Sequence, residues 1–260
     1  MTATRIAHIT DLHFGAENPS VVAALLAELN DDPPDLVAVS GDLTQGARIK
    51  EFYAARSFLD QLRAPTLAVP GNHDISPYNL LERFSNPYTR WRRLISPDTT
   101  PLWRNEVVAV LGLNSARRLG LHWDWSRGRV TRKRLLALLM RLDSLPANLI
   151  KVVVVHHPLL PPGDAPETPV VGGSIAALRA LEARRVRLVL AGHLHRGYAR
   201  FASIDSQSTV VLQGATTTSV RLRGEPNAYN AITVYTDGHI DAETRIWDGQ
   251  AWRAGKKNRF

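Results

Sequence analysis

The sequence predicts an α/β fold that grades into α+β, and three observations predict it. Short, near-continuous apolar runs recur through the first three quarters of the 260 residues. Runs of that kind read as strands buried on both faces. Helical patterns separate them, which implies crossover units around a largely parallel sheet. The last quarter changes character, because Asp237-Gly238 joins two apolar runs there as a hairpin.

The elements follow in order. The first strand is expected at residues 5–10, and a helix follows with Val21, Val22, Leu25, Leu26 and Leu29 at helical spacing. Pro19 suits the first helical position and Asn18 the cap. A second strand covers 36–40. Ile49, Phe52, Tyr53, Arg56, Leu59 and Leu62 mark a second helix, and 66–70 is the third strand. Residues 107–113 and 150–155 are the next strands, flanking a helix with Leu135, Leu138, Leu139 and Leu142, capped by Thr131. Ile175, Leu178 and Leu181 give a further helix after Ser174, leading into a strand at 187–190. Residues 209–213, 231–235 and 240–246 form antiparallel structure, and 256–260 are expected to fray. With no linker, repeat or low-complexity segment, residues 1–260 read as one domain.

Composition narrows the function. There is no cysteine, which excludes a disulfide scaffold, thiolate zinc sites, iron–sulfur clusters and a Cys nucleophile. No apolar run reaches the roughly 18 residues of a membrane span. Residues 1–8 lack the apolar core of an export signal, so the cytoplasm is the expected location. The formal charge of +8 suits anionic partners. The arginines are scattered, however, and the densest group (Arg127, Arg129, Arg132, Lys133, Arg134) reads as the solvated side of a helix.

The chemistry-bearing residues follow the strand ends. The first strand runs into Asp11-Leu12-His13, the second into Gly41-Asp42, the third into Gly71-Asn72-His73-Asp74. Two later strands run into His156-His157-Pro158 and Gly192-His193-Leu194-His195. Carboxyl ends of strands in an open α/β sheet are where ligands bind. Period-two alternation would set both donors of Asp-x-His and of His-x-His on one side of an extended segment. The glycines before Asp42, Asn72 and His193 allow the sharp turns that face those side chains into a site. Imidazole and carboxylate without thiolate suit zinc, manganese, iron or cobalt. Two Asp, one Asn and four His (13, 156, 193, 195) are too many for one tetrahedral ion, and suffice for two divalent ions sharing a carboxylate.

This ordered set, spread over residues 11–195 or about 70% of the chain, resembles the calcineurin-like metallophosphoesterase superfamily. The length, the Ile-Thr-Asp-Leu-His start and the His-His-Pro block resemble its bacterial cyclic-nucleotide and glycerophosphodiester phosphodiesterase branch. The resemblance implies a four-layer αββα sandwich of two mixed β-sheets flanked by helices. It implies one ion held by Asp11, His13, Asp42 and His195, and a second by Asp42, Asn72, His156 and His193, with Asp42 bridging. His73 then faces the substrate phosphate or leaving group, and Asn72 also binds the phosphoryl group. Asp74 either holds His73 in its working tautomer or caps the turn, and His157 packs or orients a neighbour. The reaction implied is in-line attack of a metal-bridging hydroxide on a small phosphodiester, such as a 3′,5′-cyclic nucleotide.

Specificity must come from loops. Residues 114–129 offer Trp123 and Trp125 for stacking on a base, or for packing on the next helix. Residues 221–227 offer Arg221 and Arg223 for a distal phosphate. Residues 75–96 offer Tyr78, Tyr88 and Trp91 as a cleft wall or as packing. The rival enzyme reading is a nucleotide-sugar or lipid pyrophosphatase, of the kind that acts on UDP-diacylglucosamine. A nuclease is disfavoured, since 260 residues leave no room for an extra domain, and no stable nucleic-acid complex is expected. A binding protein that kept the fold and lost catalysis would lack ligands or His73, and all are present. The tail hairpin is the candidate surface for a homodimer.

Overall fold

In the computed structural model, which describes residues 2–117, 126–202 and 209–260, strands and helices share the chain up to residue 191. The first half contains β1 (Ala3–Ile9), α1 (Pro19–Asp31), β2 (Leu36–Val39), α2 (Ile49–Gln61), β3 (Thr66–Ala68), α3 (Leu80–Ser85) and α4 (Thr89–Leu94). Next come β4 (Leu102–Arg104), β5 (Val108–Leu113), α5 (Arg132–Asp143), β6 (Ile150–Val155), α6 (Ser174–Glu182) and β7 (Val186–Ala191). The described remainder is strand: β8 (Tyr198–Ala202), β9 (Thr209–Gln213), β10 (Ala228–Tyr235), β11 (Ile240–Trp247) and β12 (Trp252–Arg259).

These strands make two six-stranded mixed sheets, ordered β12-β11-β10-β1-β2-β3 and β4-β5-β6-β7-β9-β8. Strand alternation shows how they stack. Ile6, Leu36, Ala38 and Leu67 face Val108, Val110, Val152, Val154, Leu188 and Leu190 in a core between the sheets. Their neighbours Ala7, Ile9, Val37 and Val39 turn outward, under Val21 and Leu25 of α1 and Phe52 and Phe58 of α2. On the second sheet Val153, Val155 and Val189 turn outward under Leu138 and Leu142 of α5 and Leu178 and Leu181 of α6. Three cores between four layers give the αββα sandwich. The single parallel sheet suggested by the residue pattern is thus two sheets: the first is parallel over β1-β2-β3 and antiparallel over its other half, and the second is parallel at its centre with an antiparallel strand at each edge.

Local signals held where a side chain does the work. Asn18 caps α1 by accepting from the Ser20 amide, and Thr131 caps α5 by accepting from that of Arg134. At α6 the expected boundary moves by one residue. Ser174 is already helical and Gly173, at φ 86°, is the cap. The C-terminus does not fray. Residues 252–259 form the edge strand β12, and the amide of Phe260 donates to Ile240 while that of Ile240 donates to Phe260. Trp252 anchors that strand in the core against Tyr229 and Trp247.

β1, β2 and β3 run parallel, as do β5, β6, β7 and β9. The loops leaving β1, β2, β3, β6 and β7 carry the ordered motifs, and main-chain hydrogen bonds join neighbouring loops within each sheet, while His156 Nδ1 to the Ser40 carbonyl and the His193 amide to Asp11 Oδ2 join the two. The amide of Asp11 donates to Gly41, that of His13 to Asp42, and that of Gly192 to His156.

Candidate metal centre

Asp11 and His13 follow β1 but do not continue it. Both are left-handed, at φ 51° and 49°, as are Asp42 (52°), His193 (77°) and His195 (56°). The expectation that period-two alternation aims these pairs is therefore wrong. Each x residue is Leu, buried in the case of Leu12, and left-handed turns on either side swing both polar side chains to one place. A left-handed non-glycine residue costs about 1 kcal/mol or more. Five of them cost roughly 5 kcal/mol, comparable with the whole stability of a small domain. Such an arrangement persists only where the surroundings over-determine it.

The side chains converge on two adjoining points. At one, Nε2 of His13 and Nε2 of His195 lie 3.1 Å apart, with His195 Nε2 3.3 Å from Asp11 Oδ1. His13 Nε2 is also 3.7 Å from Asp11 Oδ1 and 3.9 Å from Asp42 Oδ2. At the other, His156 Nε2 lies 3.3 Å from Asp42 Oδ2 and 3.1 Å from Asn72 Oδ1. His193 borders this second point, its ring centroid 5.2 Å from that of His156. Asp42 thus faces both, as a shared carboxylate must.

The donor set fits divalent cations on three grounds. Asp11 Oδ1 is buried and has no hydrogen-bond partner among the described residues. Ligands about 2.0–2.2 Å from one ion stand roughly 3.3–3.6 Å apart around a tetrahedron, and the donor separations here, 3.1 to 3.9 Å, scatter about that spacing. Finally, outer hydrogen bonds fix the ring nitrogens. His156 Nδ1 donates to the Ser40 carbonyl at 2.7 Å and His195 Nδ1 to the Arg221 carbonyl at 2.9 Å, so Nε2 of each points inward.

Electrostatics divide the imidazoles of the cluster. Burial pushes His13 down to about 4, and burial with the charge of His156 takes His193 to about 4, so both offer a free lone pair at neutral pH. Burial also opposes charge on His156, but the Asp42 carboxylate outweighs it and lifts the group to about 9. Burial works against ionised Asp11 and Asp42 as well, and the neighbouring imidazoles outweigh it, holding both carboxyls below the usual range.

His73 sits beside this cluster, edge-on to His13 with ring centroids 4.8 Å apart. Its Nδ1 donates to the Gln45 carbonyl at 2.6 Å, which leaves Nε2 facing the Arg221 guanidinium at 3.5 Å. The carboxylate expected to orient His73 lies elsewhere. Asp74 accepts from the amides of Leu43, Thr44 and Gly71 and from the Thr44 hydroxyl, tying the β2 and β3 loops together. Burial and the charge of Asp42 raise it to about 6, still ionised at neutral pH as its donors require. Asp74 thus takes the turn-capping role of the two that were open. His157 is spent on structure, with Nδ1 2.7 Å from the Ser115 hydroxyl and Nε2 2.7 Å from the Ser126 carbonyl.

Two glycines let the loops approach. A Cβ on Gly71 would overlap the Asp42 carboxylate, and one on Gly192 would overlap the Thr10 hydroxyl and Asp11. Of the specificity residues, Arg221 reaches the site, its guanidinium also 3.3 Å from Gln45 Oε1. Arg223 is exposed nearby and close enough to weaken protonation of His193 and His195. Trp123 lies outside the described residues, with Trp125 and the rest of 118–125. Tyr88 and Trp91 are buried and pack, whereas Tyr78 is 71% exposed. Gln45, Ser40 and the run Thr216–Ser219 were missed as site-building residues. The four consecutive hydroxyls were the available signal.

A profile of the calcineurin-like phosphoesterase family matches residues 4–197. The glycerophosphodiester phosphodiesterase GpdQ of Enterobacter lignolyticus is 30% identical over 208 residues, covering 73% of this chain and 70% of that one. A protein named probable cyclic nucleotide phosphodiesterase from Vesicomyosocius okutanii is 24% identical and covers 92% and 94%. A dimetal phosphatase from Danio rerio superposes with TM-score 0.71 at 12% identity, over 98% of each chain. A purple acid phosphatase from yellow lupin, Lupinus luteus, superposes with TM-score 0.70 at 12% identity, over 99% of this chain and 53% of its own length. These structural likenesses are of fold. The family match and the relative at 30% identity say more: the chain belongs to the calcineurin-like phosphoesterases, in their bacterial phosphodiesterase branch, and is a phosphoric ester hydrolase.

Proposed function

We propose that this chain is a two-metal phosphodiesterase for small organic phosphodiesters. The observation that carries this reading is the pair of adjoining donor clusters that share Asp42. On this reading Asp11, His13, Asp42 and His195 hold one divalent ion, and Asp42, Asn72, His156 and His193 hold the other. When bound, such a pair polarises the phosphoryl group and lowers the pKa of water to about 7.

The remaining residues then have definable tasks. The Gln45 carbonyl fixes His73 with a proton on Nδ1, so Nε2 is the atom that meets the substrate. From there, as the cation, it donates to a phosphoryl oxygen or gives a proton to the leaving alkoxide. Arg221, beside it, binds a non-bridging phosphate oxygen and neutralises the anion on arrival. Arg223 adds positive charge at the rim. Zinc, manganese, iron and cobalt all suit the donors. Cyclic nucleotides and glycerophosphodiesters, for which the relatives are named, are the substrates to test first. Residues 1–260 act as one domain on this reading, because both sheets contribute donors. Among the described residues no helix is long and apolar enough to cross a membrane.

The test is metal content. The wild-type protein, stripped and reloaded, is expected to bind two Mn(II) per chain. Asp42→Ala removes the shared carboxylate and is expected to hold one or none, with activity lost. Two retained equivalents in that variant would refute the ligand assignment.

A further inference from the structure

Between β9 and β10 the chain crosses from one sheet to the other, and on the way residues 216–221 run alongside the loop that carries Asp11 and His13. Its side chains are directed at that loop's main chain. Thr216 Oγ1 donates to the Asp11 carbonyl at 2.7 Å, and Thr218 Oγ1 donates to the Leu12 carbonyl at 2.8 Å. Thr217 Oγ1 accepts from the Thr10 amide, and Ser219 Oγ donates to the Ala16 carbonyl. Main-chain bonds complete the ladder, from Thr217 to Thr10, Asn18 to Thr218 and Val220 to Ala16. All four hydroxyl residues are fully buried. Asn227 in turn holds the strap, donating through its amide to the carbonyls of Thr216 and Ser219.

The strap serves one of the two donor clusters. The carbonyls it fixes are those of left-handed Asp11 and of Leu12, whose peptide unit leads into left-handed His13. Two residues on, the Arg221 carbonyl fixes the ring of His195. Asp11, His13 and His195 are therefore all set from residues 216–221. In the other cluster His156 is set by the Ser40 carbonyl, outside the strap, while the His193 amide donates to Asp11 Oδ2, so the strap reaches that cluster at second hand, through Asp11.

We propose that Thr216 and Thr218 are positioning residues for the Asp11–His13–His195 metal subsite, and that the strap sets the affinity of that subsite more strongly than that of its neighbour. The hydroxyls hold two carbonyls in a conformation that the chain would otherwise leave. Loss of one lets the loop relax toward ordinary φ and turns a carboxylate or an imidazole away from the ion. This rests on the ligand assignment proposed above.

The experiment titrates chelator-stripped protein with Mn(II), read by calorimetry, for wild type, Thr216→Val, Thr218→Val and the conservative Thr216→Ser. Thermal unfolding in chelator is measured on each. Wild type is expected to show two binding constants. Each valine variant is expected to weaken one of them by about 10–100-fold, as loss of an outer-shell partner does, with the other changed much less. Thr216→Ser, which keeps the bond, is expected to retain both. Alanine at the same positions provides a second pair should the valine variants not fold, since it removes the hydroxyl without placing a methyl against the carbonyl. Equal weakening of both constants, or none, overturns the proposal while wild-type stoichiometry of two leaves the ligand assignment standing. A wild type that binds fewer than two ions overturns both.

Discussion

At the residue scale the site depends on conformations that side chains alone do not choose. Seven non-glycine residues among those described have positive φ, and five of them are proposed ligands. The identities of these residues were legible in the sequence because Asp, Asn and His at consecutive strand ends are rare outside a functional site. How they are aimed was not. The alternation argument treats Asp11-Leu12-His13 as extended, whereas left-handed backbone does the aiming. The supporting groups were hidden for a different reason: Gln45 acts through its carbonyl, and Thr216 meets Asp11 from 205 positions away. His73 is the residue whose role is most exposed to test. His73→Ala is expected to retain near-normal metal content and to lose about 10²–10⁴ in turnover, the usual loss for a general acid. Unchanged turnover would show that the group gives the reaction nothing.

At the element scale, helices and central strands followed local rules, and three of the four edge strands, β4, β8 and β12, did not. Periodicity and caps place α1, α2 and α5 within a residue or two. The edge strand β12 escaped notice because residues 256–260, with Lys256, Lys257 and Arg259, read as a frayed end. Those charges suit an edge, where they discourage pairing with another chain, and Lys257 and Arg259 pair with Glu243 and Asp241 of β11. Trp252 is what ties the strand down. Trp252→Ala is expected to cost about 3 kcal/mol of stability, lowering Tm by roughly 6–12 °C, with kcat unaltered. A shift within error would mean that the tail is dispensable.

The join of β1, β2 and β10 is a buried polar one. His8 Nε2 meets the Ser40 hydroxyl at 2.9 Å, and the Asn230 amide donates to its Nδ1 at 3.2 Å. This network satisfies a neutral ring. Burial pushes His8 down to about 3, against the small opposing charge of Asp11. The unfolded chain takes up this proton below about pH 6.5. Folded-state stability from His8 is therefore complete above pH 6.5 and falls as pH drops toward 3, at up to about 1.4 kcal/mol per pH unit. In chelator, His8→Gln is expected to lose less Tm than wild type between pH 7.5 and 5. Parallel curves would show that another group governs the acid limb.

At the scale of the whole molecule, the sandwich explains why the site is where it is. Parallel strands from both sheets end on the same side, and only the seam between the sheets brings β1, β2 and β3 loops against those of β6 and β7. The seam itself could not be read from patterning. A strand buried on both faces looks alike whether it meets a helix or a second sheet. Only the resemblance carried by the five motifs pointed to two sheets. The central claim is that this seam hydrolyses phosphodiesters with metal. Its most direct test is cleavage of bis(p-nitrophenyl) phosphate beside p-nitrophenyl phosphate, after chelation and with Mn(II) restored. No turnover is expected in chelator, with recovery on addition of Mn(II) and preference for the diester. Turnover that survives chelation, or preference for the monoester, would contradict that claim.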